Sequence, residues 1–152
     1  MKKVLLCASI LAVVMVMKSA STALANSEII LAGSRRVGDV VKLLAVAYQK
    51  KNPDVEVKIL RSTLKEAQER LMKKEADGVL VTKKYYKELD TTKLKFTPIA
   101  KRIVEVHGKV TTYIDYGIAS LEVSSELEKF LDFIRSDEGK ERLKSIPNVA
   151  PL

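Results

Sequence analysis

The sequence predicts one α/β domain, a three-layer sandwich around a mainly parallel sheet. Three observations carry that prediction. Short apolar runs alternate with amphipathic helical stretches, a Gly, Pro or hydroxyl residue stands at each junction, and no segment repeats or falls to low complexity.

Ile29 to Ala32 is a continuous apolar run, the pattern of a strand buried on both faces, and Gly33 breaks it. Apolar residues then fall at Val37, Val40, Val41, Leu44, Ala45 and Tyr48, the spacing of a helix with one buried stripe, while Asp39, Lys42, Gln49 and Lys50 take the wet side. Ser34 is placed to cap that helix. Pro53 makes a turn of 52–54, because its ring fixes φ and disfavours helix at Asn52. Val55, Val57 and Ile59 alternate with Glu56 and Lys58 as a second strand over 55–60. Strand, helix and strand in this order make a right-handed parallel unit.

Ser62 and Thr63 stand where a second helix begins, with Leu64, Ala67, Gln68, Leu71 and Met72 along its inner side and Asp77-Gly78 at its end. A third strand over 78–82 stops at Thr82, and 83–95 reads as a short helix plus a surface loop. Two extended runs, 99–106 and 110–116, form a hairpin about His107-Gly108. Ser125-x-x-Glu128 reads as a capping box for a helix that buries Leu127, Phe130, Leu131 and Ile134. Ser136 caps another helix, and Pro147 and Pro151 close the chain.

In a parallel sheet the ends of the first three strands share one edge, the edge where open α/β sheets bind ligands. Ser34, Ser62, Thr63 and Thr82 all fall there, and the first-turn N–H groups of two helices point the positive ends of their dipoles at the same crevice. Arg35 and Arg36 follow directly. The arrangement suits a small anion; the same residues also fit plain helix caps and solvated arginines.

Lys2 and Lys3 precede an apolar run from Val4 to Met17, and Ala23-Leu24-Ala25 has the small-x-small pattern of a signal peptidase site. The expected organisation is a secretory signal over 1–25, cleaved after Ala25, and a single domain over 26–152, periplasmic or secreted, with no stable membrane insertion after cleavage. The one cysteine, Cys7, leaves with the signal, so no disulfide or thiol chemistry is expected. Loss of Lys2, Lys3 and Lys18 lowers the net charge from +8 to +5. That excess favours anionic ligands. The basic residues are spread along helix faces, Trp is absent and aromatics are few, so nucleic acid is not an expected partner. His107 is the only histidine and is expected to face solvent at its turn. With no Ser-His-Asp set and no metal-ligand spacing, neither an enzyme, a metal site nor a cofactor is expected.

Four segments carry a resemblance that covers most of residues 26–152: ILAGSRRVGDVVKLLAVAYQKKNPDVEVKI, ADGVLVTKKYYKELD, FTPIAKRIVEV and LEKFLDFIRSDEGKERLKSIPNVAPL. They resemble, in order, the phosphate-type substrate-binding proteins of ABC transporters. The family typically has a Gly-Ser opening to its first helix and a closing pattern of Phe, Phe, Ser, Glu, Gly with a terminal Pro. The resemblance implies one lobe of a type II periplasmic-binding-protein-like fold. It implies ligand contacts at Ser34, at Ser62 or Thr63, and at Thr82, with Arg35 and Arg36 where the family more often has small hydroxylated residues. Two departures accompany it. Family members clamp ligand between two lobes joined by two crossing strands, whereas here the outgoing run turns at His107-Gly108 straight into the returning one. The Gly- and Ser-rich loop before the family's second helix is replaced by Leu60-Arg61-Ser62-Thr63-Leu64.

Two functions follow as expectations. One is a periplasmic solute-binding-like protein that holds phosphate or a similar oxyanion weakly and serves an ABC permease. The other is an interaction or scaffold protein of the cell envelope that keeps the fold without the ligand.

Overall fold

The computed structural model describes residues 27–152. The secretory segment expected over 1–25 lies outside them. Strand β1 (Ser27–Gly33) leads into helix α1 (Arg35–Lys51), β2 (Val55–Arg61), α2 (Leu64–Met72), β3 (Gly78–Thr82) and the short α3 (Lys83–Tyr86). A long ribbon of β4 (Lys95–Val106) and β5 (Lys109–Ser120) follows, then α4 (Ser125–Arg135), α5 (Asp137–Lys144) and the two-residue β6 (Val149–Ala150).

The six strands form one sheet in the order β2-β1-β3-β5-β4-β6. β1 pairs parallel with β2 on one side and with β3 on the other, so the expected parallel half is present. β5 then pairs antiparallel with both β3 and β4, and β6 antiparallel with β4. The whole sheet is therefore mixed, because the hairpin is part of it rather than an appendage.

Strand alternation sorts the side chains into two cores. Ile29, Leu31, Leu80 and Ile118 face α1, α4 and α5, where they meet Val37, Val41, Leu44, Phe130 and Leu143. Ala32, Val79, Val81 and Ala119 face α2 and the 86–94 segment, where they meet Ala67, Leu71, Leu89 and Leu94. Helix, sheet and helix make the three layers. The six residues of the α1 stripe are all buried, as their spacing requires.

The structure departs from the sequence reading at several places, each for a local reason. The hairpin strands run farther than expected, because Pro98 sits at a register shift between Pro98 and Ala100 that tolerates a residue unable to donate to the ladder. Helix α2 ends at Met72 rather than at Asp77-Gly78; Lys74 takes a positive φ of 60°, and Glu75 N–H donates back to Arg70 C=O at 2.8 Å. Asp77 instead joins the sheet, accepting from the Ile30 N–H at 2.7 Å. Met72 is half-exposed, not core. The cap of α4 is Ser124, whose hydroxyl accepts from Leu127 N–H, so no Ser125-Glu128 box forms. β6 has no counterpart in the sequence pattern.

At the far end of the ribbon both turn residues have positive φ, His107 at 52° and Gly108 at 73°, the conformation a two-residue I′ hairpin turn requires.

Candidate functional site

The strand ends meet at Gly33-Ser34. Gly33 has φ +140°, and a Cβ there would stand 2.5 Å from the Leu80 carbonyl oxygen, so only glycine lets β1 turn this close against β3. Two main-chain bonds fix the turn: Ser34 N–H donates to Leu80 C=O at 3.0 Å, and Ser62 N–H donates to Gly33 C=O at 3.2 Å. The ends of all three parallel strands are thereby tied together, and Ser34, Ser62 and Thr82 line one cleft of about 290 Å³ with Leu64, Tyr85 and Glu88.

The hydroxyls in this region have different fates. Thr63 caps α2 in a reciprocal box: its hydroxyl accepts from Glu66 N–H at 3.2 Å while its own N–H donates to the Glu66 carboxylate at 2.9 Å. That bond from the Thr63 N–H, and then the Thr63 hydroxyl, hold the Glu66 carboxyl below the ordinary glutamate range. Thr82 accepts from Tyr85 N–H at 3.4 Å as the cap of α3. Ser34 occupies the cap position of α1 but its side chain accepts no helical N–H, so the first-turn amides of a 17-residue helix are left without a side-chain cap. Ser62 Oγ is sealed from solvent with no hydrogen-bond partner, the only such side-chain atom among the described residues.

The remaining sequence candidates do not line the cleft. The Arg35 guanidinium is largely exposed and lies 3.9 Å from Asp39, which also binds Arg61 at 3.3 Å. Arg36 lies on the other flank of α1, and Thr63 is committed to its box. Glu88 carries no signal in the sequence; it follows α3 and lines the same cleft as Thr82. A larger concavity, about 640 Å³, runs along the outer flank of the edge strand β2. Within it Gln49 accepts from Val57 N–H at 2.6 Å and Asp39 holds Arg61, while Lys42 and Arg70 line it as exposed cations. Among the described residues no cluster of His, Cys, Asp or Glu is set to hold a metal ion, and no helix is long and apolar enough to cross a membrane.

No protein-family model and no curated protein matches the sequence. Solved structures do match the fold. An ABC-type phosphate transport receptor from Vibrio cholerae superposes with a TM-score of 0.65 at 9% identity, over 82% of this chain and 100% of that one. A phosphate-bound protein from Clostridium perfringens, assigned to the phosphate ABC transporter substrate-binding proteins, gives 0.66 at 12% identity over 82% and 99%. The regulatory domain of a LysR family regulator from N. meningitidis gives 0.56 at 12% identity over 83% and 98%. At these identities the likeness is one of fold: the domain has the architecture of a type II periplasmic-binding-protein lobe.

Proposed function

We propose that the protein is a single-lobe solute-binding module that holds a small, phosphate-like oxyanion at the joined ends of β1, β2 and β3. The observation that carries this reading is Ser62 Oγ, a buried hydroxyl with no protein partner, in the same cleft as the uncommitted hydroxyl of Ser34. An oxyanion would give the Ser34 hydroxyl an acceptor, would offer one to the sealed Ser62 hydroxyl once its side chain rotates toward the cleft, and would meet the uncapped amides of Arg35, Arg36 and Val37 at the α1 N-terminus. Thr63 and Thr82 support the cleft as caps rather than as ligands, and Arg35 and Arg36 add long-range positive potential. Glu88 opposes a fully ionised anion and favours one that still bears a proton to donate. The two phosphate-associated structures of this fold support the ligand class.

A cleft with few donors and an open side holds its anion weakly, roughly millimolar to micromolar, and salt weakens it further. The reading puts the protein outside the cytoplasmic membrane, on the strength of the charged and apolar start of the sequence, with an ABC permease as partner. The test is an NMR titration of the protein with phosphate, sulfate and molybdate. Amide shifts at 33–37 and 61–64 at millimolar anion are expected, phosphate above sulfate. Should those amides stay still while a distant surface responds, the envelope-interaction reading takes over. One feature favours that second reading: Val106, Val110 and Tyr113 of the β4–β5 ribbon are about half-exposed.

A further inference from the structure

Arg35 and Arg36 are adjacent in sequence, but a helix turns about 100° per residue, and the two guanidiniums serve different surfaces. Arg35 goes to Asp39. Arg36 joins Arg102 of β4 in a separate cleft of about 230 Å³ on the sheet face that carries α1, α4 and α5, whereas the Ser34–Ser62 cleft opens toward α2 and α3.

Three properties of this cleft point to a ligand. Neither Arg36 nor Arg102 has a carboxylate within ion-pair distance among the described residues. Asp39 reaches the rim, but its carboxylate is shared between Arg35 and Arg61. Tyr116 also lines the cleft while only 4% exposed; its hydroxyl has no hydrogen-bond partner among the described residues and is not among the sealed atoms, so it opens into the cleft. The remaining wall is mostly apolar, built by Val40, Ile146, Pro147 and Val149 with Asn148 among them.

We propose that this second cleft binds a carboxylate carried on a small apolar body, held by the Arg36 and Arg102 guanidiniums and by a hydrogen bond from the Tyr116 hydroxyl. A planar carboxylate matches the guanidinium fork, and the apolar wall favours a hydrophobic substituent that inorganic phosphate lacks. The acidic rim at Asp39 further disfavours a dianion. The site is distinct from the oxyanion cleft and stands or falls separately from it.

The experiment follows the Arg36 and Arg102 Nε–Hε signals and the Tyr116 ring by NMR while phenylacetate, acetate or inorganic phosphate is added. Phenylacetate should saturate these signals at concentrations roughly tenfold below acetate, with Ser62 and Thr82 unmoved, and phosphate should leave Tyr116 in place. Tyr116→Phe removes a hydroxyl with no protein partner, so it should keep the urea midpoint while weakening phenylacetate about tenfold, the loss of one charge-assisted hydrogen bond. Arg102→Gln should weaken it at least as much. Equal responses to the three anions, phenylacetate shifts confined to Ser62 and Thr82, or unchanged binding in Tyr116→Phe would each overturn the assignment.

Discussion

Ser62→Ala is a substitution for which the structure sets the sign as well as the size. The hydroxyl is sealed and unpaired, so in anion-free protein it contributes only a desolvation penalty, about 1–3 kcal/mol for a group of this kind. Removing one oxygen loses a few contacts and leaves a void smaller than a methylene, which offsets some tenths of that gain. The net expectation is a stabilisation of roughly 0.5–2 kcal/mol. With a urea m-value of about 2 kcal/mol/M the midpoint should rise by roughly 0.3–1 M, with m unchanged. Phosphate should narrow the difference in stability. At ten times its Kd a ligand adds about 1.4 kcal/mol to the wild type, and the alanine variant lacks the part that depends on the hydroxyl. Urea unfolding followed by far-ultraviolet circular dichroism, with and without phosphate, reads both effects. A loss of more than about 0.5 kcal/mol in anion-free Ser62→Ala would refute the reasoning, because it would mean that the hydroxyl has a stabilising partner in solution.

Gly33→Ala should act in the opposite direction: the positive φ and the 2.5 Å approach to Leu80 C=O leave nothing flexible to move, so a loss of about 2–4 kcal/mol and a fall in Tm of roughly 8–15 °C is expected by calorimetry. A shift under about 3 °C would show that the turn relaxes freely. The Glu66 carboxyl titrates below its ordinary value of 4.5, so its contribution is complete above that pH and is lost as pH falls through the lowered folded value. The urea midpoint of Glu66→Gln should therefore approach that of the wild type between about pH 5 and 3, and parallel curves over that range would contradict the capping-box assignment.

The layers were legible because burial imposes a period on the sequence. Val37 through Tyr48 could satisfy only a helical stripe, and Ile29 to Ala32 only a doubly covered strand. What escaped was decided by direction or by single-residue phase. Ser62 and Thr63 are adjacent hydroxyls at one junction, and nothing in their identity says which will cap the helix and which will be sealed beneath it. Ser124 and Ser125 pose the same ambiguity, and the nearby Glu128 points to the wrong member of the pair. Arg35 and Arg36 follow a strand end, but rotation about the helix axis sends them to different flanks. β6 is two residues long and owes its pairing with Lys101 and Arg102 to the return of the chain after α5, which no local pattern announces. Tyr116 gives no signal as a site residue, since an aromatic in an extended run reads first as core.

The I′ turn at His107-Gly108 also makes the ribbon a place where chain can be added. Val106 and Lys109 are already paired across the strands, and nothing lies within 4 Å of where a Gly108 side chain would begin. Any insert whose two ends lie side by side could therefore be spliced into the tip without changing the register below it. In this chain β4 and β5 close on each other through two residues, so grafting a compact domain at that one exposed turn should leave Gly33, Ser62 and the proposed anion cleft in place.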